Sequence, residues 1–156
     1  MLLCDCGVIH ARRRVVLTGG PGAGKSAVLE LIRLFFCEHV KTLPEAAGII
    51  FGGRFPRNHL EPVQQAAQRA IYHVQRELES TGDAANAAVV LCDRGTVDGA
   101  AYWVGTGDLF TSVGSSRDAE LARYDTVIHL RTPTSPRAYN QDNPLRIESV
   151  EEAAAI

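Results

Sequence analysis

Gly19-Gly20-Pro21-Gly22-Ala23-Gly24-Lys25-Ser26 matches the phosphate-binding loop (P-loop) pattern, Gly, four residues, Gly-Lys-Ser, at every fixed position. An eight-residue pattern can arise by chance, so the flanks decide. Val15-Val16-Leu17-Thr18 reads as a buried strand before the loop, and Ala27 to Glu38 as a helix after it. Strand, glycine-rich turn and helix in that order make the pattern a site.

The residue types follow from the chemistry. Glycines let the backbone wrap tightly round a phosphate, so that N–H groups from about Gly22 to Ser26 converge at a helix N-terminus, where the dipole favours negative charge. The nucleotide-binding stretch is therefore Gly19, Gly20, Pro21, Gly22, Ala23, Gly24, Lys25, Ser26 and Ala27. Lys25 is expected at the β- and γ-phosphates, and the Ser26 hydroxyl at a Mg²⁺ ion bridging the same two groups. Lysine is scarce in this chain, with only Lys25 and Lys41 against fourteen arginines, which argues against Lys25 as surface filler.

A chain of 156 residues with 46% hydrophobic content holds one ordinary core. The reading is a short extension over 1–13 and one domain over 14–156. Sixteen basic and 18 acidic residues give a formal net charge of −2, which makes no electrostatic case for nucleic acid as a partner. No apolar run has membrane-spanning length, and Met1 to Arg14 does not read as a signal peptide, because its arginines follow its apolar residues. Cys4, Cys6, Cys37 and Cys92 lack zinc-ligand spacing; scattered thiols beside a nucleotide site fit a reduced, cytoplasmic protein.

After the loop, Val28, Leu29, Leu31, Ile32, Phe35 and Phe36 give the first helix a broad apolar face. Val40 to Leu43 is a short second strand that Pro44 stops. The glycine- and aromatic-rich stretch 45–57 fits no single regular element and has the composition of a substrate loop or a plain connector. Glu61-Pro62 opens a long helix with an apolar stripe from Val63 to Leu78 and a polar face carrying Gln64, Gln65, Gln68, Arg69, Gln75 and Arg76. Gly82-Asp83 is read as its break.

Ala87 to Cys92 is a continuous apolar run, expected as a fully buried parallel strand that ends in Asp93-Arg94-Gly95. An acidic residue at that position, downstream of a P-loop, is the natural partner of Mg²⁺, directly or through water. Asp98 to Val104 and Arg117 to Arg123 are short helices, and Thr126 to Leu130 another buried strand. Arg131 to Arg146 holds three prolines, two asparagines and three arginines, and reads as a lid whose Arg131, Arg137 or Arg146 closes over phosphates. Glu148 to Ile156 starts a helix, after which an open α/β sheet is expected to continue with a final strand at the base-binding end.

Several of these pieces resemble one known family. The P-loop, Leu43-Pro44-Glu45-Ala46-Ala47, Asp93-Arg94-Gly95 followed by Asp98 and Tyr102, and Tyr139-Asn140-Gln141-Asp142-Asn143-Pro144-Leu145-Arg146-Ile147-Glu148 are similar to AAA-like P-loop ATP-binding domains related to nicotinamide-riboside kinase domains. That family also includes a phosphoinositide-binding GTP-binding protein. The layout looks equally like nucleoside and nucleotide kinases. The resemblance implies Glu45 as base or acceptor-binding group, Asp93 at Mg²⁺ or the acceptor, Arg94 beside the transferring phosphate, and a lid arginine. It also implies a strand order of 2-3-1-4.

The expected fold is thus a P-loop NTPase α/β three-layer sandwich with a parallel sheet. The expected activity is Mg²⁺-dependent transfer of the ATP γ-phosphoryl group to a nucleoside-like small molecule, with GTP not excluded as donor. The alternatives are a nucleotide switch acting on a protein or lipid partner, and a nucleotide-binding module without catalysis.

Overall fold

The computed structural model describes residues 2–3, 9–36, 39–85 and 87–132. Its centre is a parallel four-stranded sheet of β1 (Arg13–Thr18), β2 (Val40–Leu43), β3 (Val89–Asp93) and β4 (Thr126–His129), in the order β2-β3-β1-β4. This is the order 2-3-1-4 implied by the family resemblance. A two-residue antiparallel ladder, Leu2–Leu3 with Ile9–His10, precedes it.

The two central strands carry apolar runs, Val15 to Leu17 and Val89 to Cys92, because both faces of the sheet are covered there. Successive side chains alternate between faces. Val16, Leu43, Val90 and Cys92 pack on one side with Leu78 and Tyr124, while Leu17, Leu29 and Leu91 pack on the other with Val15, Val28, Ile32, Val40 and Leu130. Each fully buried aliphatic chain, such as Val90 or Leu17, contributes about 1.5–3 kcal/mol. The register sets Leu17 opposite Asp93 and Leu43 opposite Cys92, so β1, β2 and β3 end at one edge of the sheet.

Helix α1 (Lys25–Phe35) covers the Leu17 side. Its buried stripe is narrower than the sequence face: Leu29 is buried and Val28 and Ile32 partly so, whereas Leu31, Phe35 and Phe36 stay more than half exposed. The sheet takes only one stripe of a short helix. Likewise β4, expected as a buried strand, is an edge strand with all four residues exposed, because among the described residues only β1 pairs with it.

The 45–57 stretch is more regular than its composition indicates, since Ala46–Gly52 forms helix α2. It packs on α3 (Glu61–Ala84), whose N-terminus carries Pro62 in its first turn. Gly82 does not break α3. It lets the helix close on the sheet, for a Cβ there would lie 2.8 Å from Val90 Cγ1 and 3.2 Å from Leu43 Cδ1. The remaining elements are a 3₁₀ turn (Asp98–Tyr102), α4 (Leu109–Ser112) and α5 (Arg117–Leu121). Asp108 and Ser116 cap the last two by accepting from the backbone N–H groups of Thr111 and Ala119.

Filling the Gly82 contact tests this packing. Gly82→Val should lower stability by about 2–3 kcal/mol through overpacking against Val90 and Leu43. The check is the urea midpoint of the variant; an unchanged midpoint would mean that α3 stands off the sheet.

Candidate nucleotide and phosphoryl-transfer site

Parallel strands present their carboxyl ends at one edge, and in open α/β sheets that edge is where ligands bind. Here it carries the P-loop after β1, Glu45 after β2 and Asp93-Arg94 at the end of β3. The loop backbone depends on its glycines: Gly19, Gly22 and Gly24 have φ of +136°, +77° and +89°. Gly19 is also crowded, since a Cβ would meet the Leu130 carbonyl oxygen at 2.1 Å. The end of β4 therefore closes directly on the start of the loop.

Lys25 is buried, and its Nζ donates to the carbonyl oxygens of Gly19 at 2.7 Å and Gly20 at 3.0 Å. Burial, helped by the nearby Arg94 charge, brings its pKa down to about 8, against the opposing pull of Asp93, Glu45 and Asp98. Ser26 and Ala27 are exposed in the first turn of α1. Pro21 and Ala23 complete the turn, with the Ala23 N–H donating to Gly20 O at 3.3 Å.

Asp93 is buried, and burial together with Glu45 raises its carboxyl to about 6, although Lys25 and Arg94 oppose the shift. Its Oδ1 is enclosed and accepts no hydrogen bond. An orphaned carboxylate oxygen close to a lysine fits a Mg²⁺ ion or a water on it, with the Ser26 hydroxyl as the second oxygen donor.

Arg94 is the most constrained side chain of the cluster. It adopts φ +69°, a left-handed conformation that costs a non-glycine residue about 1–3 kcal/mol. The conformation is held by its N–H, which donates to Leu17 O at 3.0 Å. Its Nε donates to Glu45 Oε1 at 2.7 Å, its Nη1 lies 3.5 Å from Asp98 Oδ1, and its guanidinium lies 5.6 Å from the Tyr102 ring centre. Asp98 in turn accepts from the Gly95 N–H at 2.8 Å and from the Thr18 hydroxyl. Lys25, Glu45, Asp93, Arg94 and Asp98 thus form one charged cluster at the sheet edge.

Arg131 is exposed just beyond β4, next to Thr132, whose hydroxyl donates to Pro21 O at 3.3 Å. Arg137, Arg146 and most of the expected lid lie outside the described residues, as do Cys4, Cys6, Cys37 and Glu148 to Ile156. The polar face of α3 is partly engaged within the fold. Gln65 donates to Val104 O, and Gln75 is buried against Glu79. A cleft of about 400 Å³ opens instead beside Arg94 and Asp98, lined also by Thr18, Arg117, Tyr124 and His129.

Sequence reading missed a second, buried layer of charge beneath this cluster. Glu79 of α3 and Glu120 of α5 are almost fully enclosed, bonded to Arg123, Tyr124, Tyr72, Thr96 and Ser115. The available signal was Tyr72, Gln75, Glu79 and Gly82 at helical spacing, a buried stripe made of polar and small residues.

Fold and loop together define a P-loop nucleotide-binding domain with the sheet order of P-loop kinases. A family model described as AAA domain matches residues 14–156, and the chain belongs to that family. No curated protein matches the chain. Among solved structures it is similar to deoxyadenosine kinase from M. mycoides with bound dATP, at a TM-score of 0.52 and 18% identity over 79% of this chain. The chain spans 66% of that kinase, just under two thirds of its length. At this identity the likeness concerns the fold.

The raised carboxyl of Asp93 has a stability signature. The folded protein binds this proton up to about pH 6, the unfolded chain only to its ordinary carboxylate value, so stability falls as pH rises between the two. Relative to Asp93→Asn, the nucleotide-free protein should lose about 2 kcal/mol between pH 4 and pH 6. Urea unfolding of both across that window checks it; parallel curves would show that Asp93 is not desolvated.

Proposed function

We propose that the protein is a Mg²⁺-dependent phosphotransferase that passes the γ-phosphoryl group of ATP to a hydroxyl of a nucleoside-like small molecule. The carrying observation is the Glu45–Arg94 ion pair, set beside buried Lys25 and Asp93 at the end of the P-loop. The nucleoside kinase likeness and the bound dATP in that relative support a nucleotide donor and a nucleoside acceptor.

In this reading the P-loop N–H groups hold the phosphates, and Lys25 leaves the Gly19 and Gly20 carbonyls for β- and γ-phosphate oxygens. Mg²⁺, held by Ser26 and Asp93, would offset phosphate charge when bound. Glu45 takes the proton of the acceptor hydroxyl as its oxygen bonds to Pγ and the bond from Pγ to the β–γ bridging oxygen breaks, leaving ADP. Arg94 faces the transferring group and orients Glu45 through its Nε–H bond. Arg131, with Arg137 and Arg146 from the same segment, supplies the lid charge.

The charge balance favours a neutral hydroxyl over a phosphate acceptor. Arg94 already has two carboxylate neighbours, Glu45 and Asp98, and three carboxylates face two cations in the cluster. A second phosphate dianion there would have to draw its counter-charge from Arg117 or the lid arginines, whereas a hydroxyl needs none.

The test is turnover of γ-labelled ATP with Mg²⁺ against a panel of nucleosides, nucleotides and nicotinamide riboside. Label should appear on a nucleoside-like acceptor. Lys25→Ala should lower the rate about 10²–10³-fold and Glu45→Gln about 10²–10⁴-fold. Acceptor-independent phosphate release, lost in Lys25→Ala and kept in Glu45→Gln, would replace the kinase reading with a hydrolytic switch.

A further inference from the structure

Arg94 is held in place from behind. Beyond the strained Arg94, Gly95 is packed so closely that a Cβ would lie 3.0 Å from both Cζ and Oη of Tyr124 and 3.1 Å from Val16 Cγ2. The Thr96 N–H donates to Tyr124 Oη at 2.7 Å, and the Thr96 hydroxyl donates to Glu120 Oε2 at 2.8 Å. Tyr124 has one proton, and Glu79 Oε1 receives it at 2.7 Å, which leaves the phenol lone pairs for Thr96. Burial and the adjacent Glu79 raise the Tyr124 phenol well above its ordinary value, so it keeps that proton at any working pH.

The two carboxylates behind Tyr124 are themselves fixed. Glu79 accepts from Arg123 and from Gln75, and Arg14 lies 3.5 Å away. Glu120 accepts from Tyr72 at 2.7 Å and Ser115 at 2.6 Å, with Arg76 at 3.3 Å. Burial opposes ionisation of Glu120, but the bonds from Ser115, Tyr72 and Thr96 outweigh it and hold its carboxyl below the ordinary range. Anionic acceptors of this kind make short, directional bonds. Among the described residues the layer is hydrogen-bonded to the turn through the Thr96 N–H and the Thr96 hydroxyl, and it packs on the turn where Tyr124 meets Gly95.

We infer that Tyr124, backed by Glu79 and Glu120, is a positioning residue for Arg94: it fixes the 94–96 turn and thereby aims the Arg94 guanidinium at Glu45 and the transferring phosphoryl group. The turn is bonded at one end to Leu17 by the Arg94 N–H and at the other to Tyr124 by the Thr96 N–H. Between them a left-handed arginine must hold its conformation against its own preference. Releasing the Tyr124 end lets the turn relax and the guanidinium swing away from Glu45. The catalytic part of this inference rests on the proposed phosphotransfer; the positioning part does not.

Tyr124→Phe tests it, keeping the ring against Gly95 and deleting the hydroxyl. Two measurements on the full chain separate the parts. The first is exchange of the Arg94 Nε–H by ¹⁵N NMR in the nucleotide-free protein. Protection should fall at least tenfold in Tyr124→Phe, while ATP affinity, set at the P-loop, stays within twofold; unchanged protection would overturn the inference whatever the protein catalyses. The second is a double-mutant cycle on turnover. Tyr124→Phe should lower kcat about tenfold with KM for ATP unchanged, and should add nothing to Arg94→Ala, as expected of a residue acting through Arg94. Multiplying effects would overturn it. If the wild type labels no acceptor, the kinase reading fails and the exchange measurement still decides. Should Tyr124→Phe not fold, Thr96→Val, which cuts the Glu120 bond, carries the same two expectations.

Discussion

The Lys25 ammonium is the constraint from which the site follows. It sits buried at the carboxyl edge of a parallel sheet, bonded to two carbonyls of its own loop and ringed by Asp93, Glu45 and Asp98. A buried cation needs bonded acceptors and nearby opposite charge. The loop supplies the first through the left-handed glycines that turn the Gly19 and Gly20 carbonyls inward. The strand ends supply the second, because parallel pairing of β1, β2 and β3 brings Glu45 and Asp93 to one edge. Removing either supply leaves an uncompensated charge, so loop, register and carboxylates are interdependent.

Much of this was legible in the sequence, for identifiable reasons. The P-loop is specified by backbone conformations that only glycine adopts easily, and such requirements appear directly as residue types. Buried parallel strands write themselves as continuous apolar runs, which is why 87–92 matched to within two, while 40–43 matched to the residue because Pro44 ends it. Glu45, Asp93 and Arg94 follow strands, and strand ends are where an open sheet converges; all three sit together with Lys25.

What was not legible depended on tertiary contacts. Gly82 reads as a helix breaker by propensity, yet it is a packing glycine, and only the nearness of Val90 and Leu43 distinguishes the two. β4 has the composition of a core strand and lies at the described edge of the sheet, which no local pattern encodes. The stripe of Tyr72, Gln75 and Glu79 has the spacing of an apolar face and is buried like one, because Arg123, Tyr124 and Arg14 converge on it from distant segments. Polar groups can be buried only when such partners arrive together. That layer then supports Thr96, and so reaches the turn that carries Arg94.

The central claim is that Lys25 is desolvated within its own loop and is released onto phosphate when nucleotide binds. The most direct measurement is the titration of its ammonium by ¹⁵Nζ NMR, in the free protein and with saturating Mg²⁺ and ATP. The expected pKa is about 8 in the free protein, with a clear rise on binding, since phosphate charge replaces neutral carbonyls. A free-protein value near that of an ordinary exposed lysine, with no change on binding, would contradict it.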